Sequence, residues 1–432
     1  TVEGLPIAPL YAPSPTPAAP ARAVAADRAW EVATLTAHPD PARANAEILA
    51  DLRGGAAACV LRIDPTGNVG VATGATADLT RALDGVILEF APVALDAGFL
   101  GPQAADWLGA AAKASPSARI RFHLDPLSAL AEAGASPGPI DAHLISAANV
   151  GARLAETYPQ AQLFLASGRV VHEAGGGEAG EVAFAAAAAV AYAKALVRAG
   201  LPMAQAFGRI TLGFSADADY FLTIAKLRAA RAVWARIANA CEADPTARVE
   251  ARSSRRMLTA KDAWTNMIRL ATAGFGAAVG GADTVILGHF TDALGLPTEF
   301  ARRQSRNAQL VLMEEAHIGR VADPAAGSGY VEALTDEIAR AAWAEFQVVE
   351  AAGGIVAALT SGRIARSAEA AKAARPVDPK IIGVTAFPPA KDAPVEVEIA
   401  AANPVQAPSS RLPGPDSACP PLTPMRISEA FE

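Results

Sequence analysis

The sequence predicts a (β/α)8 TIM barrel, and three observations predict it. Eight short runs, most of them nearly continuous in apolar or β-branched residues, recur at 59–63, 85–90, 118–123, 140–146, 161–166, 208–214, 246–251 and 283–288. Such runs suit strands buried on both faces. Helix-like segments separate most of them, short at 77–83, 104–112, 127–133 and 150–158, long at 180–198, 217–240, 260–278 and 297–316. The chain is 52% hydrophobic but only 6% aromatic, which suits a large core of Ala-rich helices. A doubly wound open sheet is the competing α/β fold, and eight units favour the closed barrel.

From the start, residues 1–26 carry Pro6, Pro9, Pro13, Pro15, Pro17 and Pro20. Proline fixes φ and lacks an amide donor, so this stretch reads as an extended arm suited to lie across a neighbouring subunit. Residues 27–385 form the barrel, with trailing helices at 331–374. Within 217–240, Ile224, Leu227, Trp234 and Ile237 share one helical face, and Ser215 or Asp217 can cap its start. From 386 to 432 proline returns, from Pro388 to Pro424, and the segment reads as a linker towards a further domain beyond Glu432. The first residue is Thr1, so the chain reads as a segment of something longer.

Bulk properties exclude several classes. The net charge is −7 and no Lys/Arg stripe is present, which argues against nucleic acid. Cys59, Cys241 and Cys419 are scattered and give neither a disulfide framework nor zinc spacing. The softest run, 182–197, contains Lys194 and is followed by Arg198, so it reads as an Ala-rich helix and not a membrane span. With no targeting signal apparent, the expected compartment is cytoplasmic.

In a barrel, chemistry gathers where strands end. After the fifth run, His172 beside Glu173 could form an acid–base pair, against the plainer reading of a surface His in a Gly-rich loop. Gly175-Gly176-Gly177 could cradle a phosphate but lacks the flanking lysine of a phosphate-binding loop. After the seventh run, Arg252, Arg255 and Arg256 could meet phosphate or carboxylate, or form a solvated face. Asp141-Ala142-His143-Leu144-Ile145-Ser146 nearly spells the cobalamin motif Asp-x-His-x-x-Gly, but Ser146 replaces the glycine, and His143 reads as a strand residue. His289 and His317 have no companions at metal-ligand spacing, so no metal site is expected. Residues 323–329, rich in Gly, read as a tight turn before a helix.

Longer motifs carry a resemblance. Residues 217–237 (DADYFLTIAKLRAARAVWARI), 294–315 (LGLPTEFARRQSRNAQLVLMEE) and 320–334 (RVADPAAGSGYVEAL) resemble signatures of the methylmalonyl-CoA mutase family. The opening TVEGLPIAPLY and residues 30–55 resemble the start and the first barrel unit of the family's small subunits. The ending MRISEAFE resembles the junction into its cobalamin domain. Catalytic chains carry Gly-Tyr-His-Met-Gln-Glu-Ala-Gly after the fifth strand. Here Gly168-Arg169-Val170-Val171-His172-Glu173-Ala174-Gly175 places Arg169 at the Tyr and Val170 at the catalytic His, with His172 at the Gln. Valine can neither donate a hydrogen bond nor transfer a proton. The Tyr is also absent from residues 21–30, and the Gln from residues 250–257, which hold Arg252.

The resemblance therefore implies a non-catalytic small subunit with no catalytic, cofactor-binding or metal-binding residue of its own. Arg169, Val170, His172 and Arg252 then mark degenerate substrate-loop positions. Its partner would be a large catalytic subunit in a heterodimer. That partner would bind adenosylcobalamin and isomerise (R)-methylmalonyl-CoA to succinyl-CoA. A residual acyl-CoA contact in this barrel stays open. The alternatives are an active mutase of related specificity, such as an isobutyryl-CoA mutase, and a stand-alone barrel hydrolase or lyase using His172 and Glu173.

Overall fold

Strands β1 (Glu31–Thr36), β2 (Ala58–Arg62), β3 (Val93–Asp96), β4 (Ile120–Leu124), β5 (Gln162–Ser167), β6 (Ile210–Ala216), β7 (Arg248–Ser253) and β8 (Thr284–Ile286) close into a parallel barrel in sequence order. They do so in a computed structural model that describes residues 1–15, 22 and 28–432. Closure runs through β1 and β8, with Val32 opposite Val285. The (β/α)8 expectation is met.

The shell follows in order: α1 (Pro41–Arg53), α2 (Thr76–Ala82), α3 (Gly101–Ala111), α4 (Pro126–Ala133), α5 (Ile140–Thr157), α6 (Arg169–Glu173), α7 (Glu178–Arg198), α8 (Met203–Gly208), α9 (Tyr220–Ala240), α10 (Asn266–Val279) and α11 (Glu299–Leu310). Local chemistry sets several starts. Asp40 accepts from the Ala42 amide ahead of Pro41, and Thr298 accepts from Ala301. The α9 cap is Asp219, whose carboxylate accepts from the Leu222 amide, and not Ser215 or Asp217. Asp217 is drawn instead into the site described below.

Two expected strands are corrected. Residues 85–90 form a turn that begins at Gly85 (φ 73°), and the third strand lies beyond Pro92. Residues 140–146 are the first turns of α5, with Ile140, His143, Leu144 and Ala147 buried and Ile145 58% exposed. That spacing is helical, but seven residues are too few to show it. The first strand, 31–36, was not among the eight runs, because Glu31, Thr34 and Thr36 interrupt its apolar character.

Helix α7 is long and apolar enough to cross a membrane by composition, yet 67% of its most apolar window is buried within the fold. Ala185, Ala187, Ala188 and Ala189 are fully buried, and their small side chains let the helix lie close to β5 and β6. Three trailing helices follow: α12 (Gly329–Ala351), α13 (Ile355–Thr360) and α14 (Arg363–Ala373). Leu334 and Ile338 of α12 pack on Ala225 and Ala229 of α9, which adds a second layer outside the barrel.

Both Pro-rich ends dock on the barrel's own chain. Glu3 accepts from the amides of Ala179 and Gly180, each at 2.9 Å, the Tyr11 ring lies 5.3 Å from Tyr330, and the Ser14 amide donates to the Gly327 carbonyl. The arm expected to lie on a neighbour thus finds a seat on α7 and α12 over residues 1–15. The rest of that expected arm, 16–21 and 23–26, falls outside the described residues. The segment expected to be a linker runs across the loops at the C-terminal ends of the strands. Amides of Val405, Leu412, Cys419, Leu422, Met425 and Ile427 donate to carbonyls of Pro65, Pro137, Gly134, Ala131, Glu173 and Arg256. Between its prolines, the segment spends these donors on the barrel.

Candidate functional site

Strand β5 ends at Ser167, and Gly168 turns the chain into α6. A side chain at Gly168 would collide with the Glu181 carbonyl, so the turn requires glycine. The next residues of the expected Gly-rich loop are therefore helix. Arg169 and Val170 are half-buried, and the ring of His172 is fully buried. Gly177 opens α7, where a Cβ would overlap the Glu3 carboxyl. The helix N-terminus that could have cradled a phosphate is occupied by the chain's own Glu3.

His172 sits among groups from four elements. Its Nε2 stands 2.9 Å from Ser254 Oγ and 3.2 Å from Asp217 Oδ2, and its Nδ1 is 3.2 Å from Glu181 Oε2. Lys226, reaching in from α9, donates to Glu181 at 2.5 Å, and the Ser215 amide donates to the other carboxylate oxygen. Arg256 pairs with Asp217 at 3.0 Å and donates to the carbonyls of His172 and Gly176. Burial opposes ionisation of Glu181, but Lys226 and His172 outweigh it and hold the carboxyl at about 2. Asp217 is held still lower: burial is overcome by its hydrogen bond from His172 and by Arg256. Two carboxylates thus face two fixed cations and a histidine.

Glu173 does not share this cluster. Its carboxylate accepts from the amides of Arg255 and Arg256, each at 3.2 Å, so the expected His172–Glu173 acid–base pair is not formed. Ser254, His172 and Glu181 do fall in the order of a nucleophile, a base and an orienting carboxylate. All three have no exposed surface. The arrangement orders the loops after β5 and β7.

A second network spans the barrel interior. Arg252 lies on β7 itself, correcting its expected place in a loop after that strand. Its Nε is 3.0 Å from Glu250 of the same strand, and its Nη1 crosses to Asp96 of β3 at 2.9 Å. Arg62 of β2 approaches the same Asp96 oxygen at 3.3 Å. Burial would raise the Asp96 carboxyl, but the two guanidinium groups hold it far below the usual range. His123 of β4 lies 3.8 Å from Glu250, in a left-handed conformation (φ 47°) where the β4–β5 register shifts. Burial depresses its pKa to about 4, and among the described residues neither ring nitrogen has a hydrogen-bond partner. Arg169 forms no ion pair among the described residues, and burial together with Arg252 lowers its pKa.

Sequence reasoning singled out Arg169, Val170, His172 and Arg252, and the structure gathers all four at the C-terminal end of the strands. It missed Asp96, Glu181, Glu250 and Ser254. Charged residues in apolar strand or helix runs were the available signal for Glu181 and Glu250. Lys226 of α9 reaches the mouth through its long side chain. His143 is a helix residue, its Nε2 3.1 Å from the Pro137 carbonyl and its ring 4.8 Å from Phe99. Among the described residues no group of three or more His, Cys, Asp and Glu side chains is placed to hold a metal ion.

Fold and site together define a (β/α)8 barrel whose mouth is filled by its own ion pairs. Residues 49–412 match the family described as methylmalonyl-CoA mutase, and the chain belongs to that family. A methylmalonyl-CoA mutase small subunit from Streptomyces virginiae is 42% identical over 388 residues, covering 87% of this chain and 61% of that protein. A small subunit from Propionibacterium freudenreichii subsp. shermanii is 35% identical over 87% of this chain and 60% of that protein. A probable small subunit from Mycobacterium tuberculosis is 40% identical over 78% of this chain and 56% of that protein. The chain therefore spans about six tenths of the length of these relatives.

Proposed function

We propose that this chain is the barrel region of a non-catalytic small subunit of methylmalonyl-CoA mutase. It would stabilise a larger chain that isomerises (R)-methylmalonyl-CoA to succinyl-CoA. The observation that carries this reading is the pairing of the charged side chains at the mouth with one another. Val170 stands at the position of the family's catalytic His, and Arg169 at that of its Tyr. His172, the nearest imidazole, is enclosed by Glu181, Asp217 and Ser254. Arg252 is tied to Asp96 and Glu250 across the barrel.

Adenosylcobalamin, the family's source of radical chemistry, does not fit the residues present. The segment nearest its motif, Asp141 to Ser146, lies on α5, and His143 is buried against Phe99 with its Nε2 already engaged. No step is assigned to that group in this chain, and the cofactor would belong to the large partner. This barrel's own residues would pair with one another at the mouth and present an outer surface for the heterodimer.

Co-expression with a large mutase subunit tests the reading. The expected result is a stable one-to-one complex that forms succinyl-CoA, while this chain alone, supplied with adenosylcobalamin, forms none. Turnover by the isolated chain, or failure of the two chains to associate at micromolar concentration, would falsify it.

A further inference from the structure

Helices α13 and α14 form a unit bounded by glycine. Gly353 and Gly354 (φ 104° and 85°) join it to α12, and Gly362 (φ 72°) separates the two helices. All three hold left-handed backbone, which glycine adopts without steric cost, and such positions can absorb a large change of φ and ψ. Among the described residues, no side chain of 355–374 makes a hydrogen bond or ion pair outside the unit. Thr360 donates to the carbonyls of Val356 and Ala357, Ser361 to Ala358 and Arg366 to Ser361, while Lys372 pairs with Glu369. Apolar contact therefore holds the unit down. Its buried side chains are Ile355, Ala358, Leu359, Ile364, Ala368 and Ala371, and the three alanines bury little area.

Packing around the unit is incomplete. A hollow of about 260 Å³ lies between α14, at Ala368 and Ala371, and Glu3, Val171 and Gly176. A second, of about 370 Å³, lies between α14 and residues 420–423 of the C-terminal segment. A third, of about 440 Å³, opens beside Ile355 and Val356, where α13 meets α5 and α7.

Beneath α14 lies α6. Val171 lines the first hollow and Ala174 the second, and between them His172 points its buried ring at Ser254 and Glu181. A polar clasp holds this edge. Arg375, just beyond α14, donates through Nη2 to the carbonyls of Gly175 and Gly176, at 3.2 and 3.4 Å.

We propose that α13 and α14 are a lid, hinged at Gly353–Gly354 and clasped by Arg375, whose opening exposes α6 and His172 to solvent. A unit with few apolar anchors, and hollows beside it, opens at lower cost than the barrel unfolds. The lid is independent of the proposed subunit role.

Hydrogen exchange on the 432-residue chain, read segment by segment, tests it. Residues 355–373 and 169–176 should exchange together, through an opening about tenfold or more commoner than that of β5 and β6, and less dependent on urea. Leu359→Ala, on α13, should speed both segments by about tenfold or more. Val285→Ala, in β8 and away from the lid, should speed β5 and β6 while leaving both segments within about twofold of the parent. Equal acceleration of barrel and lid by Val285→Ala would show that they open only together and would overturn the proposal. A Leu359→Ala chain in which 355–373 speeds up and 169–176 does not would overturn it too. If either variant does not fold, the urea dependence of the parent decides: the same slope in 355–373, 169–176 and the barrel strands leaves no lid.

Discussion

Lys226 donates to Glu181 at 2.5 Å while both side chains are essentially without exposed surface, the lysine at 1% and the glutamate at 0%. Helix α9 thereby reaches across α7 to the base of the barrel mouth. The pair holds in place the carboxylate that faces His172. An ion pair so deeply buried is justified less by its net energy than by what happens when half of it is lost.

Glu181→Gln should therefore destabilise the chain by about 3–5 kcal/mol, because Lys226 is left charged and unpaired in the interior. Lys226→Met in the same background should recover much of that loss, since neither charge then remains. Urea unfolding of the two single variants and the double variant reads the effect. Equal destabilisation in the single and double variants would exclude the pairing as its source.

Val170→His should not create mutase activity. A new imidazole on α6 would still lie beside Arg169 in the chain, with no Tyr or Gln of the family's pattern expected around it. Groups that act as a unit do not recover singly. The check is succinyl-CoA formation by the variant chain with added adenosylcobalamin, expected at background.

Asp125 predicts a pH dependence. Burial pushes its carboxyl up to about 7, against the opposing hydrogen bonds from Tyr192 and Ser128. The folded chain thus keeps a proton that the unfolded chain releases near the ordinary carboxylate range. This stabilisation is fully present below the unfolded pKa and is lost as pH rises towards 7. Asp125→Asn keeps the hydrogen bonds without the titration. The stability of the parent relative to Asp125→Asn should fall between pH 4 and pH 7, measured by denaturant unfolding at each pH. Parallel curves would sink the assignment.

Leu422 anchors the C-terminal strap, 3% exposed, its amide donating to the Ala131 carbonyl at 2.7 Å. Leu422→Ala should cost about 2–5 kcal/mol if the strap and barrel unfold together. If the strap releases on its own, the barrel's melting point should hold while limited proteolysis cuts after residue 386 much sooner. A variant unchanged in both measurements would show that the strap does not depend on this contact.

Much of the barrel was legible in the chain itself. Runs such as 161–166 and 208–214 are apolar on both faces, and only strands enclosed by helices on one side and a barrel core on the other need that pattern. The runs that misled, 85–90 and 140–146, were too short to distinguish a turn or a helix from a strand. The departures expected at Arg169 and Val170 rest on a contiguous motif, which a sequence displays without its fold.

Contacts between distant elements were not legible, because they depend on closure. Arg252 and Asp96 are separated by 156 residues and meet because β7 and β3 face each other across the barrel. His172 and Ser254, separated by 82 residues, meet because the loops after β5 and β7 fold over the same end. The sequence by itself determined the alternation of strands and helices, since this depends on short-range pattern. Tertiary structure alone decided which carboxylate neutralises which cation, since a charge buried at low dielectric survives only beside the partner that the closed barrel brings to it.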